Sequence, residues 1–341
     1  MRQMATLRRI DAIHPIPNAD AIECAVIGGW KVVAKKGEYQ HGDLAVYCEI
    51  DSWIPNALAP FLSKKEPKEY NGVKGERLRT VRLRGQLSQG LLLPLTVLQN
   101  DGAWIAGVTV DDGTDVSDVL GIQKWEAPIP AQLAGQVRGN FPAPIPKTDQ
   151  ERVQNINLEE YLDDIYEVTE KLHGASCTFY LDKEGKFHVC SRNLDLKPDP
   201  NNSYWRAAYE LEIEAKMRQE NLFGYAIQGE LCGQGINGNN YNLLLNFYAF
   251  DVFVEGVGYM LPEQRYALIN RMGIPHVPMI VRNLSLKDIL DTKEKILQFA
   301  EGYTSIPMLA DKCLREGYVF KSMTQEKSFK AVSNSWLLQY E

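Results

Sequence analysis

The chain has 341 residues, 45% hydrophobic and 24% charged, which is ordinary globular composition and length enough for two domains. No run of 18 apolar residues exists, and the opening MRQMATLRRIDAI lacks a signal-peptide apolar region and cleavage site, so a cytoplasmic protein without membrane spans is expected. A formal net charge of −7 offers no global attraction to nucleic acid, so such binding must rest on local basic patches.

The first ~125 residues read as short apolar segments between turn residues: AIECAVIGGWKVVA, DLAVYCEID, LRTVRLRG and GLLLPL, broken at Asn18, Gly28, Gly42 and Gly85. That spacing predicts a small β-barrel or sandwich over residues 1–125, with an OB fold the preferred version. The segment HPIPNADAIECAVIGGW also resembles the opening of OB-type tRNA-binding domains. Residues 64–84 hold eight Lys/Arg against three Glu. On an extended strand Arg77 with Arg79, and Arg82 with Arg84, would each share a face and neutralise backbone phosphates. The same cluster also reads as a solubilising charged edge strand.

Residues 126–150 carry Pro128, Pro130, Pro142, Pro144 and Pro146 and predict a semi-extended connector. From 151 to 341, the strand-like stretches YEVTEKL, SCTFYLD, KFHVCSR, YAIQGELC, LNFYAFDVFV, EGYVFKS and SFKAVS alternate with helical patterns. One helix is expected over SYWRAAYELEIEAKMRQE after Asn202, and another over LKDILDTKEKILQFA, capped by Ser285. The mixture without a strict βαβ rhythm predicts an α+β domain. Six cysteines without CxxC spacing argue against a zinc site or a disulfide framework. The GxGxxG match from Gly233 to Gly238 opens no helix in a clear βαβ unit and is read as a flexible loop beside Glu230.

The chemically informative segment is Glu170-Lys171-Leu172-His173-Gly174-Ala175-Ser176. A lysine at a strand end, followed by a polar residue and glycine, suits a nucleophile on a tight turn. Such an amine must lose its proton, which requires neighbouring cations and a dry pocket to lower its pKa by roughly 3 pH units, worth about 4 kcal/mol. Alone, the pattern reads first as a surface lysine in a turn. Downstream come, in order, Ser191-Arg192-Asn193, Gly229-Glu230-Leu231-Cys232-Gly233, Phe247-Tyr248-Ala249-Phe250-Asp251, Glu316-Gly317-Tyr318-Val319-Phe320-Lys321 and Ser328-Phe329-Lys330-Ala331-Val332.

This order and spacing resemble the motifs of the covalent nucleotidyltransferase superfamily, which comprises DNA ligases, RNA ligases and mRNA capping enzymes. His173, where DNA ligases and capping enzymes usually carry Asp, looks like the nick-sealing RNA ligases. The chain ends 11 residues after Lys330, so a C-terminal OB domain is not expected. The layout is similar to a bacterial family of nick-sealing RNA ligases with an N-terminal OB domain. The fold expected is therefore an OB-fold β-barrel followed by an adenylyltransferase domain, together α+β.

The resemblance implies ATP as nucleotide, a divalent metal (Mg²⁺ or Mn²⁺), and a monomer acting on nicked duplex RNA or an RNA/DNA hybrid. An ATP-dependent DNA or tRNA-repair ligase, and a nucleic-acid-binding protein without catalysis, are the alternatives. By resemblance Lys171 becomes the lysyl-AMP nucleophile and Lys330 the cation beside the α-phosphate. Many relatives have Lys-x-Lys where this chain has Lys330-Ala331-Val332, so a second cation is sought in Lys327, Lys321 or the metal. Glu316 is assigned to the metal, and Glu230 to the ribose or the metal. Glu170, His173, Arg192 and Lys321 are assigned to the nucleotide site, with Phe250, or alternatively Phe247, stacking on adenine. Arg77, Arg79, Arg82 and Arg84 are assigned to nucleic acid.

Overall fold

The computed structural model describes residues 2–127, 135–306 and 312–340. The chain divides into two compact units, Met1–Pro128 with Leu337–Glu341, and Ile129–Trp336. Pro128 and Pro130 of the expected connector lie outside the described residues.

The first unit is built of short antiparallel strands. These are β1 (Ala5–Arg9), β2 (Ala12–Pro15), β3 (Ile22–Ile27), β4 (Trp30–Lys35), β5 (Leu44–Cys48), β6 (Ser52–Pro55), β7 (Lys68–Tyr70), β8 (Val73–Arg77), β9 (Thr80–Leu83), β10 (Gln86–Gln89), β11 (Leu91–Leu93), β12 (Gln99–Asn100), β13 (Ala103–Trp104) and β14 (Gln123–Lys124). They pair in the orders β1-β5-β11, β2-β3-β4, β14-β6-β8-β7, β9-β10 and β12-β13. Alternation points Ala5, Leu7, Val46, Cys48, Ile54 and Leu93 inward to one core.

The basic segment does not form the expected continuous strand. Arg77 closes β8, Arg79 lies beyond it, and Arg84 stands at the β9–β10 turn with φ 51° beside Gly85 at φ 84°. Two successive positive-φ residues make the tight hairpin turn that matches strand twist. Neither arginine pair therefore shares a strand face.

The second unit contains two antiparallel sheets. Its strands are β15 (Val137–Asn140), β16 (Ile165–Lys171), β17 (Ala175–Leu181), β18 (Phe187–Cys190), β19 (Leu194–Leu196), β20 (Tyr225–Cys232), β21 (Asn246–Val254), β22 (Gly258–Tyr259), β23 (Met279–Ser285), β24 (Gly317–Ser322) and β25 (Ser328–Val332). The seven-stranded sheet runs β15-β19-β18-β17-β20-β21-β22 and the four-stranded sheet β23-β16-β24-β25. All seven strand-like stretches read from the sequence overlap one of these strands. Part of the expected connector is sheet: β15 pairs with β19.

Each sheet buries one face under helices. Phe179, Ile227, Leu231, Phe247 and Val252 of the larger sheet meet Trp205, Met217 and Ile269 from the helices Ser203–Glu210, Ile213–Gln219 and Pro262–Arg271. Tyr166, Val168, Tyr318, Phe320, Phe329 and Ala331 of the smaller sheet meet Ile296 and Ala300 from the helix Lys293–Ala300. Both expected helices are interrupted. The first, capped at Asn202 whose Oδ1 accepts from Tyr204 N–H at 2.8 Å, breaks where Glu212 adopts φ 52°. That break lets Ile213 and Met217 reach the core. The second is split into Leu286–Ile289 and Lys293–Ala300, and the cap bond comes from Thr292 rather than Ser285.

Candidate active site

Side-chain alternation in the smaller sheet decides what faces the site. Tyr166, Val168, Tyr318, Phe320, Phe329 and Ala331 point into the helix-covered core, so Lys171, Lys321 and Lys330 project from the opposite face. Register spreads them along that face: Lys171 opposes Gly317, Glu167 opposes Lys321, and Val319 opposes Lys330. In the larger sheet, Glu230 of β20 opposes Ser176 of β17 and Tyr248 of β21, also away from the helices. The two open faces meet where Lys321 Nζ reaches Asp251 Oδ1 and the Phe250 carbonyl, each at 2.6 Å.

The centre of this arrangement is Lys171. Its Nζ donates to Glu316 Oε1 at 2.6 Å, with the lysine side chain 26% and the glutamate 10% exposed. Glu316 immediately precedes β24, and Gly317 at φ 152° lets the strands close there. A Cβ at Gly317 would stand 2.1 Å from the Ala331 carbonyl oxygen.

Glu230 Oε1 accepts the Gly174 N–H at 2.9 Å. Gly174 is needed for packing of the protein on itself, since a Cβ there would lie 2.3 Å from the Leu231 carbonyl oxygen.

These charges set one another's protonation. Burial pushes the Lys171 amine down, but the Glu316 and Glu230 carboxylates outweigh it and hold its pKa above the ordinary lysine value. The lowered pKa expected from sequence is therefore not found in this arrangement, because two carboxylates face the amine. Burial lifts Glu230 to about 7 against the pull of Lys171, with Glu316 adding to the rise. Burial likewise holds His173 below the usual imidazole range, which keeps the ring neutral at pH 7.

A family model for an OB-fold domain matches residues 4–95, and a family model for RNA ligase matches residues 164–332. Among solved structures, an apo variant of Naegleria gruberi RNA ligase is 40% identical with a TM-score of 0.88, covering 98% of this chain and 97% of that one. A variant of the same enzyme with ATP and Mn is 40% identical with a TM-score of 0.87, each chain covered to 98%. The form with PPi is 41% identical with a TM-score of 0.87, covering 99% of this chain and 98% of that one. The chain belongs to the RNA ligase family. A comparison with curated proteins found no match. The α+β architecture is thus an N-terminal OB-fold domain and a C-terminal RNA ligase nucleotidyltransferase domain.

The remaining residues assigned from sequence to this RNA ligase fall into place unevenly. Phe250 occupies a bulge, since Gln228 opposes Asp251 while Gly229 opposes Ala249. It lies on the open face, 5.4 Å from Lys321 Nζ to its ring centre. Phe247 is core, edge-on to Phe179 at 4.7 Å. His173 packs its ring 5.0 Å from Trp336. Arg192 is ion-paired to Asp149 at 2.8 Å, near enough to Glu230 to act on its carboxyl. Lys327 is drawn aside, donating to the Glu160 carbonyl at 2.8 Å.

Glu170 is not brought to the open face. It points opposite to Lys171, and its carboxylate accepts from Thr304 Oγ1 at 2.5 Å and Ser305 N–H at 2.6 Å. In the other unit Arg77 is tied to Asp51 at 2.5 Å and lies 4.0 Å over the Trp125 ring, whereas Arg79, Arg82 and Arg84 are exposed.

Two groups at this RNA ligase site carry no motif signal. Arg152 is buried, bridges to Lys330 as a backbone neighbour, and acts electrostatically on the Lys171 amine. It is a second cation beside Lys330, in a part of the chain that holds none of the motifs. Arg265, from the helix Pro262–Arg271, is fully buried against Glu167 and 3.9 Å from Asp251, fixing the carboxylate that holds Lys321. Arg265 lies on the helix face that carries Leu268 and Ile269, and a charge on that apolar face was the available signal, since a buried guanidinium requires carboxylate partners.

A divalent metal fits the donor set. Glu316 Oε2 is buried without a hydrogen-bond partner, and Glu230 supplies a second carboxylate. Among the described residues no group of three or more His, Cys, Asp or Glu side chains could hold a metal. A hard cation at phosphates is commonly held by one or two carboxylates together with phosphate oxygens and water, and these two carboxylates are of that kind.

Proposed function

We propose that the chain is an ATP-dependent RNA ligase that seals 3′-OH/5′-phosphate nicks in RNA-containing duplexes through a lysyl-AMP intermediate on Lys171. The observation that supports it most strongly is the Lys171 amine at a strand end, 2.6 Å from Glu316 with Glu230 acting on it. The relatives' structures with ATP, AMP and Mn favour the same nucleotide and metal class.

In the first step the deprotonated Lys171 nitrogen forms a bond to the α-phosphorus of ATP, and the bond from that phosphorus to pyrophosphate breaks. A 5′-phosphate oxygen then takes the AMP, making an anhydride and releasing Lys171 as an amine. Finally the 3′-hydroxyl oxygen attacks the activated 5′-phosphorus, loses its proton and expels AMP. Because the resting amine is protonated and paired, Glu316 must give up that contact before the first step. A bound Mg²⁺ or Mn²⁺, held by Glu316 and Glu230, would supply the charge that neutralises the phosphate oxygens.

Lys330 and Arg152 supply fixed positive charge beside the lysine, where negative charge develops. Lys321, gripped by Asp251, sets the position of Phe250, the face on which adenine stacks. Arg192 reaches the nucleotide or the nicked strand by exchanging its Asp149 partner. His173, neutral and backed by Trp336, faces the AMP phosphate or the nick. Exposed Arg79, Arg82 and Arg84 contact duplex phosphates, while the A-form groove and 2′-hydroxyls select RNA. A nick presents one site, which suits a monomer.

Intact-protein mass after incubation with ATP and Mn²⁺ tests this reading. Wild type gains one AMP, about 330 Da for the phosphoramidate, and Lys171→Ala gains none. No adduct on wild type shown to be unmodified beforehand would overturn it.

A further inference from the structure

The turn carrying the nucleophile leaves one sheet and enters another. β16 ends at Lys171 in the four-stranded sheet, and β17 begins at Ala175 in the seven-stranded sheet. Residues 172–174 belong to neither ladder, so their backbone N–H and C=O groups must find partners elsewhere. Those of His173 and Gly174 find them on the end of β20 and the loop that follows. The His173 N–H donates to the Tyr241 hydroxyl at 2.9 Å, and the Gly174 N–H donates to Glu230 Oε1 at 2.9 Å. Asn237 Nδ2 donates to the Gly174 carbonyl.

The loop is built to hold that position, although the sequence reads as flexible. Asn239 clasps Leu243, accepting its N–H at 3.0 Å and donating to its carbonyl at 3.0 Å. Gly233 allows the loop's ends to close, since a Cβ there would stand 2.3 Å from the Leu244 carbonyl oxygen. Tyr241 is 1% exposed and packs with Leu172, Cys232, Val277 and Cys313. Its ring is therefore fixed by the same cluster that holds Leu172, the neighbour of the nucleophile. Burial, reinforced by Glu316, raises the phenol far above its ordinary pKa, so the hydroxyl stays neutral throughout the working pH range.

We propose that Tyr241, assisted by Asn237, is a positioning residue for lysine adenylylation, holding the His173–Gly174 backbone so that the Lys171 amine meets the α-phosphorus in line. The proposal rests on the ligase reading above. Tyr241 acts through the turn and touches no substrate. Steps that make or break the Lys171 N–P bond depend on it. The last step depends on it far less, only through the placing of His173, because there the 3′-hydroxyl attacks an end that already carries AMP.

Tyr241→Phe removes the hydroxyl and keeps the ring in its cluster. Two rates are compared with wild type: AMP-adduct formation with ATP and Mn²⁺, and sealing of a nicked duplex whose 5′ end is already adenylylated, without ATP. Adduct formation at saturating ATP should fall about 10- to 100-fold with the half-saturating ATP concentration almost unchanged, the signature of impaired orientation rather than impaired binding. Sealing of the adenylylated nick should stay within about 3-fold, since it needs no lysine nucleophile. Asn237→Ala, at an exposed site, should show the same split in smaller measure. Adduct formation at the wild-type rate would overturn the proposal, as would an equal fall in both rates accompanied by a lower Tm. Wild type that forms no adduct would instead remove the ligase reading itself.

Discussion

Lys171 Nζ stands 2.6 Å from Glu316 Oε1, joining the last residue of β16 to the residue that precedes β24. While this pair holds, the lysine amine is a poor nucleophile, because the carboxylate stabilises its protonated form. Glu316→Gln should therefore split two reactivities. Acylation of Lys171 by a small amine-reactive reagent at pH 8, followed by peptide mass, should speed up as its pKa falls. AMP-adduct formation should slow by about 100-fold, the scale for losing one group that stabilises transition-state charge. Unchanged acylation would show that the pair does not control the amine.

Glu230 makes stability depend on pH in a defined direction. Its pKa is lifted to about 7 from an ordinary 4.5, so the folded chain keeps a proton that the unfolded chain has released across that window. Stability should fall as pH rises from about 4.5 to about 7, by on the order of 3 kcal/mol for this group alone. Glu230→Gln lacks the cost. Its Tm relative to wild type should rise between pH 4.5 and pH 8, and a constant Tm difference would refute the assignment.

The two aromatic residues of β21 should separate cleanly. Phe247 is fully buried against Phe179, so Phe247→Ala should cost about 3–5 kcal/mol in denaturant unfolding. Phe250→Ala should leave Tm near wild type and raise the ATP concentration for half-maximal adduct formation about 10-fold, as expected from losing a stacking face worth about 1–3 kcal/mol. Equal ATP dependence in Phe250→Ala would place the base elsewhere.

The basic residues of the OB-fold domain should separate in the same way. Replacing exposed Arg79, Arg82 and Arg84 by Ala should weaken binding to a nicked RNA duplex. It should also reduce the slope of log affinity against log salt by about 0.7–0.9 for each phosphate no longer neutralised, with AMP-adduct formation intact. Arg77→Ala should mainly lower the Tm, because its guanidinium binds Asp51 and covers Trp125. An unaltered salt slope in the triple variant would exclude these arginines from the RNA surface.

Much of the architecture was legible in the chain. Period-two alternation in YEVTEKL, EGYVFKS and SFKAVS marks β16, β24 and β25 without any tertiary information. The same alternation places Lys171 and Glu170 on opposite faces, and applying it strictly would have separated Glu170 from the site. The helices were legible in place but not in continuity, because Glu212 breaks the first in order to aim Ile213 at a core that only the folded sheet provides.

Strand alternation, turn residues and motif spacing are local properties of the chain. From the first two follows the two-part architecture, whereas the lysine and its two glutamates were picked out by the resemblance of the motif order to the covalent nucleotidyltransferases. Three features come instead from folding: the bulge that turns Phe250 to the open face, the attachment of Arg152 beside Lys330, and the hold of Tyr241 on the turn after Lys171. The charge state of the site belongs with these. Lys171 and Glu316 are 145 residues apart in the chain, and electrostatic interaction depends on distance through space, which sequence spacing does not encode.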